Sequence, residues 1–353
     1  MNSELRTMKQ GSNIREIARL AGVSVASVSR ALQDETSSKV SPELRKRILA
    51  LCEQFQYYPN VHTVRMLSKK AGNVAMIYPP CESLQDSFSA GMIDPNLGAC
   101  LSGAERELVA NGVYLTLTST TRKFLENREY LRMFRGKMVD GYLVWGWIEG
   151  GDYLFELLAE GAPVVMVQCS AGDGGAPSVV ADDFDGMRQV VEHVVGLGHR
   201  KIAVIPPLTA GSAGRERLRG VMETLNRHGL EPCHLTRNRG FGPEVGYLAG
   251  KEIFAAATGA TCVIAPNDSA AFGIMQAARE AGVRVPEDVS LTGADGLKIF
   301  GWRQLTTYVS PSYKIGETGA QLFRRLLAGE RMEPLKTILP VEFIKGETTR
   351  GVA

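Results

Sequence analysis

The chain has 353 residues, 44% of them hydrophobic and 22% charged, which excludes a single small domain and a disordered chain and favours two to three globular units. Its net charge of +2 hides an asymmetry: residues 1–72 hold 12 Lys/Arg against 6 Asp/Glu, and the remaining 281 hold 28 against 32. A basic head on a mildly acidic body fits a nucleic-acid-binding module joined to a second domain. No run of 18 apolar residues is present and the first 30 residues lack an apolar core, so neither a membrane span nor a secretory signal is expected.

Residues 1–11 are polar and patternless. From Ile14 to Leu32, IREIARLAGVSVASVSRAL reads as two short helices joined by a tight turn. Ile14, Ile17, Ala18 and Ala21 fall on one helical face. Asn13 can cap that helix, with Glu16 reaching back as in a capping box. Gly22 supplies the positive φ of a sharp break, and Ser24 can cap the second helix. There Val28, Ala31 and Leu32 point inward, leaving Val25, Ala26, Ser27, Ser29 and Arg30 outside. Small residues around one arginine suit the major groove, where Arg pairs bidentately with guanine. The pattern is that of a helix-turn-helix reader.

A polar loop follows. Ser41-Pro42-Glu43 then starts a helix that runs to about Gln56, with Leu44, Ile48, Leu51 and Phe55 as its buried stripe. Arg45, Lys46 and Arg47 lie around its other side as possible phosphate contacts. Tyr57-Tyr58-Pro59-Asn60 breaks the helix, and residues 61–72 form a weakly amphipathic segment suited to folding on contact with DNA.

From Asn73 the texture changes. Strands are expected at 74–78, 114–118, 141–145, 163–168, 201–206, 261–266 and 289–294. Amphipathic helices are expected at 97–111, 124–135, 152–160, 185–198, 213–229, 243–258 and 268–281. Continuous Val/Ile-rich strands alternating with helices mean βαβ units and parallel sheets covered on both faces. The glycine-rich loop 172–177 favours two lobes. A helix at 313–328 and a strand at 337–344 close the chain. The six cysteines are scattered without a C-x-x-C pair, as in a reduced cytoplasmic protein, and His193 and His199 lack metal spacing. No metal site, cofactor or catalytic residue is expected.

The run AGVSVASVSRAL, then KVSPELRKRIL, then QYYPN resembles the head of the lactose-repressor (LacI/GalR) family of bacterial transcription regulators. The body agrees with it in order, through KMVDGYLV, GAPVVMV, VVADDFDGMRQVVEHVVGLGHRKIAVI, APNDSAAFGIMQAARE, GVRVPEDVSLTGAD, LTTY and VEFIKGETT, so that the similarity spans about residues 12–350. The resemblance implies an α/β fold: a helix-turn-helix headpiece over 12–58, a hinge helix over 59–72, and a two-lobed, periplasmic-binding-protein-like core of doubly wound parallel sheets over 73–353. Lobe one would hold about 73–180 and 309–333, and lobe two about 181–308 and 334–353.

The same resemblance assigns base reading to Val25, Ala26 and Arg30, with Ser24, Ser27 and Ser29 as phosphate binders or caps. In the hinge, Met66 takes the position of the family's minor-groove wedge, with Leu67 beside it. Gln168, Arg217, Phe241, Asn267 and Asp295 fall at effector positions in the cleft between lobes, with Trp145 a further stacking candidate. Arg217, Asn267 and Asp295 can bind hydroxyl pairs, and Phe241 can stack on a sugar face. The first βα loop ends in Asp94-Pro95-Asn96-Leu97 where the family commonly carries aromatics, with Phe88 as a possible substitute. The implied function is a cytoplasmic, homodimeric regulator, in the first instance a repressor. It would bind a near-palindromic double-stranded operator under control of a small-molecule effector. A solute-binding protein of the sugar-binding type is the alternative.

Overall fold

The computed structural model describes residues 13–32, 39–58, 70–80, 94–147, 151–172, 175–237, 239–256, 258–298 and 303–352. Met66 and Leu67 of the hinge, and Phe88, lie outside these residues. The chain forms two compact units, 1–71 and 72–353.

The first unit contains α1 (Ile14–Ala21), α2 (Val25–Ala31) and α3 (Pro42–Gln54). Their inward faces bury Ile17, Ala18, Ala21, Val28, Ala31, Ile48 and Cys52 in one cluster. Ile14, Leu44, Leu51 and Phe55, expected inside, pack against its margin.

The second unit begins with β1 (Asn73–Tyr78), α4 (Pro95–Val109), β2 (Tyr114–Ser119), α5 (Arg122–Glu126), α6 (Glu129–Arg135), β3 (Gly141–Trp145), α7 (Tyr153–Ala159), β4 (Val164–Val167) and β5 (Ser178–Ala181). It continues with α8 (Asp183–Gly196), β6 (Ile202–Val204), α9 (Ser212–Arg227), β7 (His234–Leu235), α10 (Pro243–Ala255), β8 (Cys262–Ile264), α11 (Asp268–Glu280) and β9 (Ser290–Thr292). It closes with β10 (Thr307–Val309), α12 (Ser312–Leu327), β11 (Lys336–Leu339) and β12 (Glu342–Ile344). Lobe one is a six-stranded sheet in the order β2-β1-β3-β4-β5-β11, and lobe two a four-stranded sheet in the order β7-β6-β8-β9. Every pairing within these two sheets is parallel. Each sheet carries a hydrophobic cluster on both faces, as parallel strands require.

Three segments cross between the lobes: β5 into α8, β10 into α12, and β11 into β12. The last corrects a boundary. The expected strand 337–344 is two strands, because Pro340 cannot continue a ladder. β11 pairs with β5 in lobe one, and β12 pairs antiparallel with β10. Lobe one therefore extends to Leu339, rather than ending at residue 333. The expected helix 124–135 is likewise broken, at Arg128, whose φ is +49°.

Candidate functional site

The headpiece presents its reading helix through fixed caps. Asn13 accepts from the backbone N–H groups of Arg15 and Glu16 at 3.0 and 3.1 Å. Glu16 itself turns to Arg19, 3.8 Å away, rather than closing a capping box. Gly22 takes φ +64°, the left-handed conformation that ends α1. Ser24 Oγ accepts from the Ser27 N–H at 3.1 Å, and the two hydroxyls lie 3.0 Å apart. Ser24 thus caps the start of α2, and Val25, Ala26 and Arg30 are the exposed residues of that helix, with Ser27 and Ser29 half-buried. Arg45 and Arg47, read from sequence as phosphate contacts, have another job. Arg45 Nε donates to the Ala31 carbonyl at 3.2 Å and Arg47 to the Leu20 carbonyl at 3.3 Å. Each guanidinium ties α3 to the carboxyl end of a headpiece helix, where cations suit the dipole.

In the core, the crossings bring together residues far apart in sequence. Arg217, in the second turn of α9, is 4% exposed. Its Nε donates to Asp183 at 2.8 Å, one Nη to Asp295 at 2.6 Å, and the other to the Pro266 carbonyl at 3.0 Å. Its guanidinium lies 5.7 Å from the Phe241 ring centre and 5.6 Å from that of Tyr308. Burial alone would lower its pKa, but the two carboxylates outweigh burial and hold the charge well above the ordinary value. Tyr308 donates its hydroxyl to Asp183 at 2.5 Å.

Asp295 follows β9 with φ +107°, a conformation that L-residues rarely adopt, held by a bond from its N–H to the Tyr308 carbonyl at 2.8 Å. Burial pushes its pKa up to about 6 against the pull of Arg217. Asp268 beside it is fully buried, accepting from Thr307 at 2.8 Å and the Leu297 N–H at 2.6 Å. Burial first, and the Asp295 charge second, push its pKa well up. Asn267 uses its side-chain oxygen to cap α11, accepting from the Ala270 N–H at 2.9 Å.

Lobe one supplies the facing wall. Gln168, just past β4 with φ +57°, donates to Ser310 at 3.1 Å. Trp145 is half-buried at the end of β3, whereas Trp147 turns into the core and bonds the Gly151 carbonyl at 3.1 Å. Arg122 stays at the surface with Glu126 at 2.7 Å. Arg217, Phe241 and Asp295 therefore form one contact group, Asn267 borders it next to Pro266, and Gln168 and Trp145 stand in the other lobe. A small hollow lies between the lobes, lined by Gln168, Asp183, Ser212 and Lys336 among others. Tyr308, Ser310, Ser312 and Asn96 were missed by sequence reasoning. The one usable signal was that LTTY and the two serines after it form a crossing segment.

The sequence profile of bacterial regulatory proteins, lacI family, matches residues 13–60, and that of the periplasmic binding protein-like domain matches residues 191–349. The HTH-type transcriptional regulator DegA of Bacillus subtilis (strain 168) is 26% identical over 346 residues, spanning 96% of this chain and 98% of its own. Residues 13–60 are thus a headpiece of the lacI type, and residues 191–349 a periplasmic binding protein-like domain. The same architecture is seen in the lac repressor dimer bound to operator and the anti-inducer ONPF, with a TM-score of 0.79 at 22% identity, covering 97% of this chain and 100% of that one. A complex of the transcriptional regulator CelR with cellobiose gives 0.71 at 25% identity, covering 96% and 100%. The LacI-family fold accounts for both halves of the geometry: a headpiece with an outward helix, and a cleft crossed three times by the chain.

Proposed function

We propose that this protein is a cytoplasmic repressor of transcription that works as a homodimer, reads a near-palindromic operator and answers to a small molecule. That effector is a sugar or sugar derivative held between the lobes, and no bond is made or broken in the process. The observation that carries the reading is the exposed face of α2, where Val25, Ala26 and Arg30 stand outward on a helix whose start is fixed by Ser24. Arg30 can donate to a guanine edge, while Val25 and Ala26 offer apolar contact to a thymine methyl. Met66, ahead of Leu67, takes the minor-groove wedge. That CelR carries cellobiose, and the lac repressor an anti-inducer, supports a ligand in the cleft.

Selection from a pool of random duplexes tests the regulator. The full chain is expected to enrich a near-palindrome, and residues 72–353 alone to enrich nothing. Equal binding by the core, or no enrichment by the full chain, overturns the reading and returns the solute-binding alternative.

A further inference from the structure

The chain enters the core by passing from Ala71 into Gly72, and that entry is held by more than the sheet. Gly72 stands one residue ahead of β1, with φ +61° in the left-handed region. Its N–H donates to Asp140 Oδ2 at 2.7 Å, and the Asn73 N–H reaches the same oxygen at 3.3 Å. Successive N–H groups converging on one point form an anion cradle, filled here by the chain's own carboxylate. Asp140 also donates its N–H to the Asn73 carbonyl at 2.7 Å. On the other side, the Gly72 carbonyl accepts from the Tyr114 N–H at 3.0 Å. The Asn73 side chain donates to Thr116 Oγ1 at 2.8 Å and to the Met138 carbonyl at 3.2 Å.

The base of this clasp is itself fixed. Asp140 lies between Val139, which is fully buried, and Gly141, where a Cβ would overlap the Pro163 carbonyl and the Phe323 ring. β1 needs no clasp of its own, because it runs between β2 and β3 with a parallel ladder on each side. The β1–β3 ladder starts at Val74 and Gly141, so the carboxylate acts ahead of it, where the chain arrives from the headpiece. A peptide unit is planar. Fixing the Gly72 N–H therefore fixes the Ala71 carbonyl and Cα as well, and with them the direction in which the preceding residues leave lobe one.

We propose that Asp140 is a positioning residue for operator binding: its carboxylate fixes the exit of the linker from lobe one and so sets the half-site spacing that the dimer accepts. Two headpieces reach a near-palindrome from two such exits. Each added base pair moves one half-site by about 3.4 Å and turns it around the duplex. A fixed exit rejects that change, whereas an exit that swings follows it. The inference rests on the reading of the chain as a homodimeric, operator-binding regulator.

The test uses the full chain and the selected duplex, with both half-sites intact and one or two base pairs inserted or removed between them. Fluorescence anisotropy at a single salt concentration gives the affinities, and the ratio of selected to altered spacing is the readout. The parent chain is expected to prefer the selected spacing at least tenfold. Asp140→Ala is expected to shrink that ratio at least threefold. Asp140→Asn keeps an acceptor oxygen in the same place and is expected to hold the ratio closer to the parent's. Gly72→Ala strains the clasp from its donor side and serves should Asp140→Ala fail to fold. A residue that merely stabilised the core would lower the melting temperature and leave the ratio alone. An unchanged ratio in a folded variant, a uniform loss on every spacing, or an Asp140→Asn chain no better than Asp140→Ala therefore overturns the proposal. A parent that selects a duplex but ignores its spacing removes this inference only; a parent that selects no duplex removes the regulator reading and this inference with it.

Discussion

Arg217 shows what a buried cation asks of its surroundings. At 4% exposure it has given up hydration, and two carboxylates, a carbonyl and two aromatic faces replace it. Removing one member of such a set leaves uncompensated charge, at a cost of about 3–5 kcal/mol. Arg217→Met, which leaves Asp183 and Asp295 without their cation, is expected to lower the unfolding free energy by about that amount in a denaturant titration. Asp295 carries a second prediction. Its pKa of about 6 in the folded chain exceeds that of an exposed Asp. The fold therefore binds this proton more tightly than the unfolded chain does. The resulting stability is fully present below about pH 4 and is lost as pH rises through about 6. Asp295→Asn is expected to flatten the melting temperature's dependence on pH in that window relative to the parent chain, and identical slopes would contradict the assignment. In the headpiece, Arg30→Ala is expected to relax preference at one guanine per half-site by about 1–3 kcal/mol, measured as relative affinities for single-base variants of the selected duplex. A uniform loss on every sequence would instead make Arg30 a phosphate contact. At this scale the sequence was partly legible. Arg217, Phe241 and Asp295 could be placed from their motifs because their side-chain chemistry is distinctive. Ser310, Ser312 and Asn96 could not, because the role of a hydroxyl depends on which neighbour takes its proton.

At the scale of elements, helix starts were the clearest signals, since caps are local. Asn13, Ser24, Ser41-Pro42 and Pro243 each stand at or next to a start that the structure confirms. Three strands were missed, although β6, β8 and β9, of three residues each, were read from the longer apolar runs around them. β5, β7 and β10 span four, two and three residues, too few to show any period, and they exist only because neighbouring strands receive them. The packing of helix pairs was equally hidden. In lobe one, α4 and α12 approach so closely that a Cβ on Gly103 would overlap the Tyr313 carbonyl, and one on Gly316 the Cys100 carbonyl. Lobe two repeats the device with α10 and α11, where Gly246 meets the Ala270 carbonyl and Gly273 the Pro243 carbonyl. These obstacles are backbone atoms, which cannot swing aside. Gly316→Ala and Gly273→Ala are each expected to destabilise the core by about 1–3 kcal/mol, read by chemical denaturation of residues 72–353.

For the whole molecule, the contrast between a head at +6 and a body at −4 decides where polyanions are drawn. Operator affinity is expected to fall linearly on a log–log plot against salt concentration. An effector that changes operator affinity by some factor has to feel the operator change its own affinity by the same factor. Measuring both arms with one sugar checks that the cleft and the reading helix belong to one equilibrium. Unequal factors would show that the sugar acts through a different species.

The return of the chain to lobe one at β11 also sets an order of assembly on the ribosome. Every strand of the lobe-two sheet, from Ile202 to Thr292, has been synthesised while lobe one still lacks α12 and β11. Until Lys336–Leu339 emerges, β5 remains an unpaired edge, with Ser178–Ala181 open to any passing strand. A nascent chain stalled near residue 330 therefore has both lobes unfinished, since lobe one lacks β11 and lobe two lacks β12, the antiparallel partner of β10.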